Sequence, residues 1–451
     1  MRHTQRLRNA LPTGDFSRGA LTIVTGTGAA QLIVIASSPI LTRLYSPSAF
    51  GVFAAATSIL AILTTIACLT YDSAIPLPES DVAGANVVVV CLATTLAMSL
   101  ATLAVVWLVG PAIFVLVGAS TLTPYVLLLP LGELGGGVVM TFIGWAIRTK
   151  SYSEIAANRL TQTGALVAGQ VGLGLLGWGA VGLLVGAVAG SVAGSSRLAR
   201  VAWRSHASSF RRVSRAGVST AAIRYRRFPI LSAPSALLNT LGGQAPLLLI
   251  VALFGADVGG HLALAQRVIA LPVTLLSGAI GQVYFAEFAR LTREHPEDLR
   301  ALFWRTTRPL AVTAAGPFLL SALAAPLFFP FVFGQNWSEA GVYVAILAPM
   351  NYLQFVTNPT YGTLDVLERQ DLHLAREISR LCLMGGAVLA AVALHLPPIG
   401  AIGALCLAGC VTYLLYGFIS WRAIVAHDAH LPLARETEAD LVEKLPELPS
   451  Q

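Results

Sequence analysis

The sequence predicts an all-α integral membrane protein, with about twelve transmembrane helices in two six-helix lobes around a central cavity. Three observations predict it. Hydrophobic residues make up 55% of the 451 residues and charged ones only 11%, where a soluble domain carries about a quarter of its residues as charges. Apolar runs recur along the chain, each near the length of about twenty residues that a helix needs to cross the hydrocarbon core. Arginines gather in alternate connectors, and one connector holding nine of them splits the runs six and six. The mean hydropathy of +0.73 agrees.

The series begins after a basic segment, residues 1–18. Between Gly19 and Leu41 no side chain is charged. That run is too long for a signal-peptide core and lacks a clear small-residue cleavage site, so it is expected to be retained as the first membrane helix. Further runs near 50–71, 84–108, 122–146, 155–176 and 178–196 complete a first lobe over 19–196. The sixth reads GLLVGAVAGSVAG, with Gly182, Gly186, Gly190 and Gly194 four apart. In lipid, small residues at that spacing let helix backbones approach closely. A basic linker is expected over 197–228. A second lobe over 229–422 takes runs near 229–254, 258–287, 307–331, 340–362, 376–395 and 399–421. Residues 423–451 turn polar and acidic and are expected to form a disordered cytoplasmic tail.

Twelve spans return the chain to its starting side, and the arginines say which side that is. The linker carries Arg197, Arg200, Arg204, Arg211, Arg212, Arg215, Arg224, Arg226 and Arg227 and no acidic residue. On the same side fall the N-terminal arginines, Arg148 with Lys150, and the connectors 288–308 and 363–380. The positive-inside rule then makes both termini cytoplasmic. The opposite connectors near 109–121, 176–178, 254–259, 332–339 and 395–399 have no lysine or arginine, which leaves Arg43 as the sole cation on that side. A short echo suggests duplication: TGAAQLIVI (27–35) beside TLGGQAPLL (240–248), and FGVFAAATSIL (50–60) beside GGHLALAQRVIAL (259–271). Two six-helix halves about a central cavity are a recurrent transporter plan.

Several chemistries find no support. The net charge of +7 lies in short connectors between apolar runs, which is the pattern of membrane topology and excludes nucleic acid as a partner. GLGLLG (172–177) matches a dinucleotide fingerprint but has no preceding strand and lies within a membrane run. Cys68, Cys91, Cys382, Cys406 and Cys410 all sit in apolar runs without metal-ligand spacing to histidine, so they read as small core residues. No cofactor and no metal is expected.

Ionisable residues within spans cost about 2.5–3.5 kcal/mol at the helix centre and usually face an interior or a water-filled cavity. Arg159 lies about one turn inside the fifth span. Arg267 lies roughly 13 Å, nine residues at 1.5 Å each, from the outer end of the eighth. Glu133 is near mid-depth in the fourth, within LPLGELGGG, and Arg43 ends the first. Three arginines at inner, middle and outer depth resemble a ladder for an anion, since a guanidinium fork stays charged and binds phosphate oxygens in pairs. Gln31, Gln244 and Gln282 add neutral groups suited to sugar hydroxyls. Each has a plainer alternative: Arg43 and Arg159 snorkelling to an interface, Arg267 pairing with Glu133, and the amides bonding between helices. Glu133 is a candidate coupling residue or ion-pair partner.

The stretch GALTIVTGTGAAQLIVIASSPILTRLYSPSAFGVFAAATSIL (19–60), with YDSAIPLPES (71–80), resembles the first two spans of the oligosaccharide (Wzx-type) flippases. GGHLALAQRVIALPVTLLSGAIGQVYFAEFAR (259–290) resembles their eighth. These polysaccharide biosynthesis transporters belong to the multidrug/oligosaccharidyl-lipid/polysaccharide exporter superfamily. The resemblance implies two six-helix lobes around a V-shaped cavity in the bacterial inner membrane. It also implies alternating-access export of undecaprenyl-diphosphate-linked oligosaccharide for O-antigen, capsule or exopolysaccharide, alongside a polysaccharide polymerase and chain-length proteins. By motif position it carries substrate binding onto Arg43 and Arg267. Arg159 and Glu133 rest on depth alone. Two other classes compete. A multidrug or cation antiporter of the same superfamily would favour an acidic cavity, and a membrane-embedded polymerase would need a sizeable external loop, whereas the outer connectors are about a dozen residues or fewer.

Overall fold

The computed structural model describes residues 15–116 and 127–443. The expected N-terminal segment through residue 14, connector residues 117–126 and tail residues 444–451 lie outside them. Every regular element among the described residues is helical. Helix α1 runs Asp15–Leu44, and α2 runs Pro47–Ala67 after a sharp turn. Ser46 caps α2 by accepting from the Ala49 amide at 3.2 Å, and Pro47 opens it, where a missing amide hydrogen costs nothing. Then come α3 (Asp81–Leu116), α4 (Leu128–Arg148), α5 (Tyr152–Leu175) and α6 (Gly179–Arg211). In this first group α1 packs on α5, α5 on α6, and α4 on α2, α3 and α6.

The linker is folded. Helix α6 continues past the expected boundary at 196 to Arg211, bent at His206 (φ −132°, ψ 29°). After Ser214 caps it, α7 (Arg215–Arg224) lies against α3. The cause is an apolar face interleaved with the arginines: Phe210, Val213, Val218, Ala221, Ala222 and Tyr225 pack onto the core around Tyr71, Val88 and Trp145. The Tyr71 hydroxyl also donates to the Ala222 carbonyl at 3.1 Å.

A π-helical turn, Phe228–Ser232, leads into α8 (Ala233–Phe254). The expected eighth span is then two helices, α9 (Ala256–Pro272) and α10 (Gly278–Glu294), joined by a second π turn at Val273–Ser277. Proline has no amide hydrogen to give its own helix, and a wider turn just after it is a usual way to absorb the break. Helices α11 (Leu299–Phe333), α12 (Ser338–Thr357), the short α13 (Thr363–Val366), α14 (Gln370–Ala393) and α15 (Pro398–Glu443) follow. The last continues beyond the expected end at 422. In this second group α11 packs on α12, α12 on α9 and α15, and α14 on α8 and α15.

Nine helices among the described residues are long and apolar enough to cross a membrane. The three other expected spans are the ones that carry charge or interruption. Helix α5 holds Glu154 and Arg159, α14 holds Asp371, Arg376, Glu377 and Arg380, and the eighth is cut by its π turn.

The two groups meet along α2, which packs on both α8 and α9. At the arginine-poor end the contact is backbone on backbone: a Cβ on Gly51 would overlap the Ala256 carbonyl, and one on Gly260 the Pro47 carbonyl. Beside this crossing the Trp337 indole donates to the Thr42 carbonyl at 3.0 Å and meets the Phe50 ring edge-on at 4.9 Å. One buried cluster therefore runs through both groups there, including Leu41, Tyr45 and Phe50 with Ile250, Leu262 and Tyr343.

Candidate functional site

Helix α1 is the axis along which the expected arginines are arranged. Its register against α5 is set by two contacts: Gly26 lies against Ala156, and Gly174 lies against the Tyr45 ring, whose hydroxyl donates to the Gln170 carbonyl at 2.6 Å. The two helices are thus parallel, and Arg159 stands about level with Ala29 of α1. Gln31 follows about half a turn later, half-buried. Arg267, half-buried on α9, reaches α1 at Val34: its Nη2 donates to the Val34 carbonyl at 3.2 Å. Arg43 ends the helix, about 13 Å further along at 1.5 Å per residue, with Nη1 on its own Pro39 carbonyl at 2.8 Å.

Along α1 the three follow in the order Arg159, Arg267, Arg43. No carboxylate pairs with any of the three among the described residues. Arg43 and Arg159 present exposed side chains. Arg267 has a buried Nε without a partner. The Val34 carbonyl already accepts from Ser37 and Ser38 hydroxyls at 2.8 and 2.9 Å, so it is a crowded acceptor for a guanidinium. A charge held by one shared carbonyl retains donors for an anion. Gln244 on α8 is half-buried and Gln282 on α10 is exposed; the structure gives neither a hydrogen bond to the arginines.

Glu133 lies apart from this row. It is fully buried where Gly132 meets Leu60 and Val188, and Gly136 meets Thr64, inside the packing of α2, α4 and α6. Both of its carboxyl oxygens are buried without a hydrogen bond. The ion pair between Glu133 and Arg267, kept open above, is not formed. Asn158, one residue before Arg159, is likewise fully buried with neither amide atom partnered.

A second polar cluster was counted above as connector charge. Residues 370–380 belong to α14, and Arg376 and Glu377 are only 1% and 3% exposed. The Arg376 guanidinium lies 3.8 Å from the Tyr361 ring centre and 4.7 Å from that of Tyr416. Arg380 bridges the Glu377 carboxylate at 2.8 Å and Asn239 of α8, through its carbonyl at 2.6 Å and its side-chain oxygen at 3.0 Å. The signal was present in REISR (376–380), whose spacing stacks the three charges within one turn.

Two helical groups joined along α2, with arginines that are unpaired among the described residues ordered along α1, define a multi-pass membrane protein of transporter fold. The same fold occurs in an inward-facing multidrug resistance MATE family transporter of the MOP superfamily (TM-score 0.66, 15% identity, 91% of this chain and 96% of that one). It occurs too in the lipid II flippase MurJ in an inward closed conformation (TM-score 0.67, 10% identity, 96% and 94%). The chain belongs to the polysaccharide biosynthesis protein family, which matches residues 40–342, more than half of its length. Among relatives, it is 30% identical over 159 residues to the teichuronic acid biosynthesis protein TuaB of Bacillus subtilis (strain 168), covering 35% of this chain and 32% of TuaB. It is 26% identical over 340 residues to the succinoglycan biosynthesis transport protein ExoT of Rhizobium meliloti (strain 1021), covering 72% and 63%. The chain thus spans less than two thirds of either relative.

Proposed function

We propose that this protein is a flippase that moves undecaprenyl-diphosphate-linked oligosaccharide from the cytoplasmic to the outer leaflet of the bacterial inner membrane. Arg267 carries the reading. It is a guanidinium on the eighth expected span that crosses to α1, has a buried unpartnered Nε and, among the described residues, has no carboxylate to neutralise it. A diphosphate supplies the paired oxygens such a fork favours. Arg159 and Arg43 are the inner and outer stations of the same path, and Gln31, Gln244 and Gln282 serve sugar hydroxyls. Family membership and relatives named for teichuronic acid and succinoglycan synthesis support the substrate class.

Both termini are cytoplasmic in this reading, so the Gly51–Gly260 crossing is the seal of the outer side. Lobes over 19–196 and 229–422 then rock about α2 to alternate access. An anion leaving a cell that is negative inside gains about 2.3 kcal/mol per charge per 100 mV, and Glu133 adds a proton-carrying group. The polymer served is an O-antigen, capsule or exopolysaccharide, with polymerase and chain-length proteins as downstream partners.

Proteoliposomes test it. Lipid-linked oligosaccharide placed in one leaflet should become accessible to an impermeant lectin or glycosidase on the other, faster with the protein than without. Equal rates would reject the proposal. Export of organic cations in its place would establish the antiporter reading, which the buried Glu133 and the shared MATE fold favour.

A further inference from the structure

The second polar cluster forms a pocket between α12, α14 and α15, lined by Gln354, Asn358, Tyr361, Arg376, Arg380 and Tyr416. Its charge is unbalanced. Among the described residues Glu377 is the lone carboxylate against two guanidiniums: its Oε1 accepts from the Tyr361 hydroxyl at 3.0 Å and the Tyr416 hydroxyl at 3.4 Å, while its Oε2, 2.8 Å from Arg380, is buried without a completed hydrogen bond. Arg376 is left 3.8 Å from Glu377, with one long hydrogen bond of 3.4 Å to the Tyr361 carbonyl. Arg376 Nε and Nη2 and Arg380 Nε are buried donors without acceptors. Buried polar groups in folded proteins almost always find partners, and a buried net charge needs a counter-charge. Three unbonded donors face one unbonded acceptor, Glu377 Oε2, and one positive charge is in excess, which leaves donors and charge over for an anionic acceptor.

The space sets its size. About 40 Å³ is reachable by water, and one water needs about 10–15 Å³ measured this way, so roughly three fit. A carboxylate has three heavy atoms and one charge. A diphosphate carries more charge than the single excess positive charge balances.

We propose that this pocket is a subsite for one monoanionic oxyanion group of the transported molecule, separate from the arginines along α1. Paired guanidiniums among three tyrosines and two amides are the chemistry that recognises the carboxylate of an acidic sugar, whose ring stays outside the pocket. The oxyanion comes either from such a sugar or from a lipid phosphate. The inference rests on the flippase reading and gives it a preference for acidic saccharides.

The test is thermal unfolding of the purified full-length protein in detergent, at constant ionic strength set with sodium chloride. Sodium glucuronate, inorganic phosphate and glucose are titrated separately. Glucuronate should raise the midpoint saturably while glucose, its uncharged analogue, does not. A response to phosphate alone assigns the oxyanion to the lipid. Arg376→Gln and Arg380→Gln should each weaken the response about ten-fold, as expected for losing charge-assisted hydrogen bonds. If Arg376→Gln does not fold, Arg380→Gln, at the more exposed of the two side chains, carries the comparison. No saturable response to either anion, or one unchanged in the variants, overturns the inference. Failure here with lipid-linked saccharide still translocated rejects the subsite alone; anion binding in a protein that translocates none rejects the function and keeps the pocket.

Discussion

Gly51 and Gly260 face each other where α2 crosses α9, and the relationship is reciprocal. Each would, with a Cβ, overlap the carbonyl of the residue four places before the other, Ala256 for Gly51 and Pro47 for Gly260. Such a contact is what a two-fold axis between repeated helices produces. The echo FGVFAAATSIL against GGHLALAQRVIAL aligns these same two glycines, so the weak repeat in sequence corresponds to a symmetric contact in space.

This crossing should tolerate no side chain. Gly51→Val and Gly260→Val are each expected to part the helices at the arginine-poor end. In a background with the five native cysteines replaced, Leu262→Cys is a reporter buried in that seam. Its labelling by an impermeant maleimide should rise several-fold in either valine variant. Unchanged labelling would mean that the crossing is not the seal.

Arg267→Ala should abolish surface polysaccharide while the protein still inserts in the membrane at normal abundance. Arg267→Lys should recover little, because an ammonium lacks the planar fork. Immunoblotting of membranes and staining of surface polysaccharide read both, and normal polysaccharide in the alanine variant would remove Arg267 from the site.

Arg148 holds the loop that follows α2. Its Nη1 donates to the Pro78 carbonyl at 2.6 Å and the Ile75 carbonyl at 3.3 Å, and its Nε meets Asp81 at 3.1 Å. Because Asp81 is largely exposed, the carbonyls matter more than the ion pair. Arg148→Lys, which keeps the charge and loses the fork, is expected to cost about 1.5–3 kcal/mol. A thermal unfolding midpoint equal to that of wild type would show that charge alone suffices.

Glu133→Gln removes an ionisable group from a place where ionisation finds no cation. The protein should fold with little loss of stability, and the dependence of vesicle transport on an imposed proton gradient should disappear. Persisting gradient dependence would take Glu133 out of coupling.

Legibility in the sequence was uneven, and the unevenness has a physical pattern. Apolar runs located α1 to within a few residues because hydropathy averages over a segment and needs no partner. Arg159, Arg267 and Arg43 were ordered by depth for the same reason: distance from a helix end is a local quantity. The fold of the linker is not legible in the sequence because its arginines dominate composition, while the face bearing Val213, Val218 and Ala221 becomes visible only once α3 and the Tyr71 core are there to receive it. Arg376 and Arg380 were assigned to a connector because charge lowers the hydropathy of the first turns of α14, which hid a helix that is buried there.

By itself the sequence determined the membrane as solvent, the long apolar helices, the asymmetry of positive charge and the inventory of deep arginines. These follow from transfer free energies of single side chains. Only the tertiary structure decided which groups meet: Gly51 with Gly260, Arg267 with Val34, and Arg376 between Tyr361 and Tyr416. Helices in lipid gain little hydrophobic energy from one partner over another. Close backbone approach and the pairing of distant polar groups therefore select their neighbours, and both depend on residues far apart in the chain.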